Sequence, residues 1–121
     1  MESKRIELLK YRGGPKSTLF TGRPQGKQVR KELNLDKEDK EDRKVIFVIP
    51  EDTTSFNPSF YLGLLYDSIK ELNKEHFQTK YTFDYSLTTD EYKSIIKSDL
   101  ETGMRHAMNS IKNDTGFSSF L

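Results

Sequence analysis

The residue in this chain of 121 best placed to do chemistry is a serine at a predicted helix start. Ser59 follows Asn57-Pro58, a pair that supplies an N-cap and a residue already set for the first helical turn. A phosphate on its hydroxyl would gain from the helix dipole and the first-turn amides, which makes Ser59 a phosphoacceptor candidate. An unmodified serine in a first turn is also ordinary, and both readings stay open here. The second chemical feature is cationic. Met1 to Lys31 holds nine Lys/Arg against two acids, whereas the remainder is net acidic and the whole chain carries +1. Arg12, Lys16, Arg23, Lys27, Arg30 and Lys31 are therefore candidates for holding nucleic acid or another anionic ligand. The blander alternative is that the basic and acidic parts lie side by side and complement each other.

Other chemistries find little support. Gly22-Arg-Pro-Gln-Gly26-Lys27 has three residues between its glycines and Gln28 after the lysine. A phosphate-binding P-loop needs four and a Ser or Thr, because the spacing sets how the amides wrap the phosphate. With no cysteine, disulfides, thiolate catalysis and cysteine-held zinc are excluded. His76 and His106 lack partners at metal-ligand spacing and read as surface histidines, so no metal or cofactor is expected. No nucleophile elbow or Ser-His-acid arrangement stands out. The expectation is a non-enzymatic chain. No apolar run is long enough to span a membrane or serve as a signal peptide, so the cytoplasm is the expected compartment.

The elements that must position these groups are those of one α/β domain over residues 1–121, a mixed sheet with helices packed on it. With 33% apolar and 32% charged residues the core must be small. Ile6 to Tyr11 reads as a first strand and Ser17 to Thr21 as a short second one. Arg12-Gly-Gly-Pro15 turns between them, so the two suggest a hairpin. A helix opens near Pro24 with a thin stripe of Val29 and Leu33, leaving Lys27, Arg30 and Lys31 solvated. Residues 36–44 alternate acids and bases with nothing to bury and read as a mobile connection.

Val45 to Ile49, five apolar residues rich in β-branched types, is the central strand, buried on both faces. The helix after Asn57 carries Tyr61, Leu62, Leu65, Ile69 and Leu72 on one side. Phe60 and Leu64 share another side. They are either covered by a neighbouring element or the C-terminal tail, or an exposed apolar pair for a protein partner. Tyr81, Phe83, Tyr85 and Leu87 alternate with polar residues as a strand with one wet face. Thr88 and Glu91 match a capping box ahead of a long helix, which Gly103 could kink. Residues 113–121, apolar only at Phe117, Phe120 and Leu121, read as a loose tail.

Two of these stretches together resemble a known family. Phe20-Thr-Gly22-Arg23-Pro-Gln-Gly26-Lys-Gln-Val29-Arg30 is similar to the "F-x-G-R-x-x-G-x-x-[LV]-R" segment of the STAS-like domain family of unknown function. The central strand followed by Ser55-Phe56-Asn57-Pro58-Ser59-Phe60 resembles that family's strand, loop and "S-F" helix start. The likeness covers residues 19–72. It implies a compact α/β domain akin to anti-sigma factor antagonists, acting as a regulatory interaction module. Such modules are often switched by phosphorylation at the start of the helix after the central strand, and histidine-kinase-like ATPases are typical partners. By position, Ser59 is then the phosphoacceptor. Asp52, Phe56, Asn57, Phe60 and Leu64 are the partner-binding candidates. Nucleic acid, through Arg23, Lys27, Arg30 and Lys31, is the second choice.

Overall fold

The computed structural model describes residues 2–11 and 17–118, with side chains through residue 113. Arg12 and Lys16, like the turn around them and residues 119–121, lie outside the described residues. The strands are β1 (Ser3–Glu7), β2 (Leu19–Phe20), β3 (Lys44–Val48), β4 (Ser55–Phe56) and β5 (Tyr81–Asp84). The helices are α1 (Arg23–Leu33), α2 (Leu35–Glu38), α3 (Pro58–Leu72), α4 (Lys74–Lys80) and α5 (Asp90–Ser118). This is the expected α/β class.

Three strands form a parallel sheet in the order β1-β3-β5. That order advances in one direction, and right-handed crossovers that advance one way fall on one face. Their register aligns Ile6, Phe47 and Phe83 in one row and Lys4, Val45 and Tyr81 in the next, on the helix-covered face. The opposite face carries exposed Arg5, Glu7 and Thr82, with Arg5 bonded to Asp84 at 2.9 Å. β3 is buried at Val45, Phe47 and Val48, and Ile49 just beyond it is buried too, because β3 is the middle strand.

Several expectations are corrected by pairings that are distant in sequence. The first strand ends at Glu7, and Leu9–Tyr11 forms a turn of 3-10 helix. β2 makes no hairpin with β1; it pairs in parallel with β4, Phe20 opposite Phe56. The strand at Tyr81 stops at Asp84, leaving Leu87 55% exposed in the following turn. Thr88 does not cap α5; its hydroxyl donates to the Tyr85 carbonyl. Gly103 does not break α5 either. A Cβ there would stand 2.5 Å from the Tyr61 ring, so its bare backbone lets α5 close on α3. The supposed tail is helical through Ser118.

The helix α1 crosses α3 glycine on glycine. A Cβ on Gly26 would overlap the Phe60 carbonyl and stand 2.9 Å from the Leu64 amide. One on Gly63 would overlap the Arg23 carbonyl and stand 2.8 Å from the Lys27 amide. The Gly26 of the resembling segment is thus a helix-packing residue. The same closeness buries Phe60 and Leu64.

Residues 36–44 are anchored, contrary to the mobile connection expected. Glu38 and Asp39 are 4% and 8% exposed. Arg30, expected in solvent, is buried and donates to the Leu64 carbonyl (3.0 Å), Ser68 (2.8 Å), Asp36 (2.6 Å) and Asp39 (3.1 Å). Asp39 also accepts from the hydroxyls of Ser68 and Tyr81. Burial opposes the charge on Arg30, but its bonds to Asp36 and Asp39 outweigh that and hold it protonated. Burial, reinforced by Asp39, pushes the Tyr81 hydroxyl up. Lys80 closes the segment by donating to the carbonyls of Glu41 and Arg43. A charge run offers no apolar periodicity to read, so its burial was invisible until partners from α1, α3 and β5 surrounded it.

Two carboxylates predict how the fold responds to acid. The hydrogen bond from Arg43 holds Glu38 below its ordinary value against the opposing effect of burial, helped by the charges of Arg43 and Lys4. Asp84 is held down to about 2 by the Ser86 hydroxyl and amide, then by Arg5. Each folded-state value lies below the unfolded one, so the unfolded chain binds more protons as pH falls. Their stabilisation is present above the ordinary carboxylate range, about pH 4, and disappears as pH falls toward 2. Urea midpoints should be flat between about pH 5 and 9 and fall steadily below about pH 5, with Glu38→Gln reducing the slope. A midpoint that rises on acidification contradicts this assignment.

Candidate functional site

The loop that carries Ser59 is built as a fixed mount. Pro50 to Thr53 makes a tight turn, the Thr53 amide donating to the Pro50 carbonyl at 3.1 Å. Thr53 is fully buried while Glu51 and Asp52 are exposed at the tip. Beyond the turn, the chain is tied on both flanks. On one side the Thr54 amide donates to the Thr18 carbonyl (2.7 Å) and the Asn57 amide to that of Phe20 (2.9 Å), extending the β2–β4 pair. On the other, Asp99 of α5 accepts from the Phe56 amide at 3.0 Å and from the Ser55 hydroxyl at 3.5 Å.

Below the loop, Phe20, Phe56 and Phe60 meet with ring centroids 4.9 to 5.2 Å apart, and Phe56 stands edge-on to Phe83. Asn57 caps α3 as its sequence position requires, its side chain accepting from the Ser59 amide at 2.7 Å. Pro58 follows as the first helical residue. Ser59 is exposed, one residue further on. The serine is therefore reachable by another protein while the backbone under it is held by three elements.

The predicted site residues divide sharply. Asp52, Asn57 and Ser59 lie on the loop surface or its cap. Phe56, Phe60 and Leu64 are fully buried, so the exposed apolar pair does not exist; α1 and the aromatic cluster cover them. An arc of α3 from Phe60 through Tyr61, Leu64 and Leu65 to Ile69 is buried because the helix is packed between α1 and α5. The near-continuous apolar sequence Phe60 to Leu65 was the available signal, since a helix apolar nearly all round is an interior one. Asp99 carries no sequence signal, since nothing local distinguishes it from the other acids of α5.

The cationic set also divides. Arg23, Lys27 and Lys31 are exposed on α1, with the Arg23 guanidinium 5.5 Å from the Tyr66 ring centroid. Arg30 is consumed inside. The shallow depression that Lys27 and Lys31 line is shared with Asp36 and Asp67, so it is no uniformly basic patch. His76 and His106 are exposed, and among the described residues no group of three His, Asp or Glu could hold a metal ion. Among the described residues, no helix is long and apolar enough to cross a membrane. No family model, curated protein or solved structure matches this chain.

Proposed function

We propose that this chain is a non-enzymatic regulatory module that binds a protein partner through the Pro50 turn and the start of α3, and that phosphorylation of Ser59 switches the contact. The observation that carries the reading is an exposed first-turn serine on a loop pinned by β2, α5 and its own cap. Phosphate would bring about two negative charges to that spot, beside a loop already bearing Glu51 and Asp52. The helix dipole favours charge there, so modification leaves the fold intact and changes only what the surface attracts. The contact residues in this reading are Asp52, Asn57 and Ser59. Phe56, Phe60 and Leu64 act from beneath by holding the loop in shape. A histidine-kinase-like ATPase, the partner implied by the STAS-like resemblance, would both bind and phosphorylate: the Ser59 oxygen takes the γ-phosphoryl group of ATP, ADP leaves, and the hydroxyl proton is lost. We propose the cytoplasm as the compartment.

The test uses Ser59→Ala and Ser59→Asp as baits in host lysate, with and without nuclease, followed by mass spectrometry. The expected result is a nuclease-resistant regulator or ATPase that differs at least about tenfold between the baits, roughly the effect of one charged hydrogen bond. Phosphate should be found on Ser59 of the native chain. Equal capture by both baits removes the switch. Capture that nuclease abolishes, with affinity falling steeply in salt, instead favours an anion-binding role for Arg23, Lys27 and Lys31.

A further inference from the structure

A groove of about 450 Å³ lies between β5 and the middle of α5. Tyr81, Thr82 and Phe83, three consecutive residues of β5, all line it. Successive strand side chains point to opposite faces, so three in a row on one groove mean that it follows the strand's edge. Among the described residues that edge is free, because β5 is last in the order β1-β3-β5. Leu100 and Met104 of α5 line the groove as well, together with Tyr61 of α3.

Tyr61 is 3% exposed, and its hydroxyl has no hydrogen-bond partner among the described residues. A buried hydroxyl left unpaired destabilises the fold, and such groups are rare in folded proteins. Here the groove supplies a place from which a partner could reach it. Lys74 and Lys97 also line the groove; both are exposed and neither makes an ion pair among the described residues. Glu101 is the lone acid among the lining residues, so the groove is net basic.

We propose that this groove takes an extended segment of a partner protein, apolar at alternate positions and carrying acidic residues, which adds as a strand to the free edge of β5. Strand addition satisfies the free edge through backbone hydrogen bonds, while alternate side chains enter the apolar space between Phe83, Leu100 and Met104. A polar group of the segment meets the Tyr61 hydroxyl, and its acids meet Lys74 and Lys97. The groove's volume would also suit a small molecule, but its course along an unpaired strand favours a chain. The proposal does not depend on Ser59, which does not line the groove.

The test selects a random-peptide library displayed on phage against the full chain, then measures the tightest peptide, fluorescein-labelled, by anisotropy. Selected peptides should alternate apolar residues and carry Asp or Glu among the polar positions. N-methylation of the backbone nitrogens facing β5 should weaken binding about tenfold or more, and of the intervening nitrogens less than about twofold, as lost backbone hydrogen bonds require. Lys97→Glu should weaken it about tenfold through like-charge contact. Tyr61→Phe should weaken it about threefold or more without lowering the melting temperature. Failure to select any peptide, or a peptide indifferent to both N-methylation and Lys97→Glu, overturns the proposal. A Tyr61→Phe chain that melts lower would place the hydroxyl's partner inside the fold and remove its basis.

Discussion

Gly26→Ala should destabilise the chain by about 2–3 kcal/mol, although alanine is the better helix former by about 1 kcal/mol. The two effects have opposite signs, which makes the experiment decisive. Read locally, Gly26 is a weak point in α1, and alanine there should help. In the fold the new Cβ would collide with the Phe60 carbonyl and crowd the Leu64 amide, and backbone cannot rotate away as a side chain can. The helix axes must separate, loosening Phe60 and Leu64, which are fully buried at this contact. Gly63→Ala should cost a similar amount through the Arg23 carbonyl. Because both substitutions force the same separation, the double variant should lose clearly less than the sum of the two. Urea denaturation of the three variants measures this directly. A Gly26→Ala chain that is more stable than the parent would mean that α1 and α3 do not cross at these glycines.

Arg30→Met should cost about 3–5 kcal/mol, since it leaves the Asp39 carboxylate buried without its cation. The loss is larger than any surface pair could give, because Arg30 serves four acceptors drawn from α2, α3 and the turn after α2. Arg30→Lys should rescue little: one ammonium cannot reproduce the planar fork that meets Leu64, Ser68, Asp36 and Asp39 together. Adding Asp39→Asn to Arg30→Met should recover roughly half the loss. The amide oxygen still accepts from Ser68 and Tyr81, and no charge is left stranded. Thermal melts of the single and double variants decide the matter. If the double variant is no more stable than Arg30→Met, the buried charge is not what the substitution exposes.

Both effects arise from contacts between residues far apart in the chain. The central strand, the Asn57-Pro58 cap, the alternation at Tyr81 and Phe83 and the long C-terminal helix are set by residues within a few positions of one another. Local periodicity and capping chemistry therefore reveal them, and with them the α/β class and the place of Ser59 in a first turn. The sequence alone determined that much. Only the tertiary structure decided that β2 finds β4 some 36 positions on, that Gly26 meets Gly63, and that Glu38 and Asp39 lie inside. It likewise decided that Phe60 and Leu64 face α1 and not a partner. A glycine carries no sign of the backbone that will approach it. A charged side chain reads as solvated until the fold supplies opposite charges and donors at hydrogen-bond distance, and those lie 9 to 42 residues away from Asp39 along the chain.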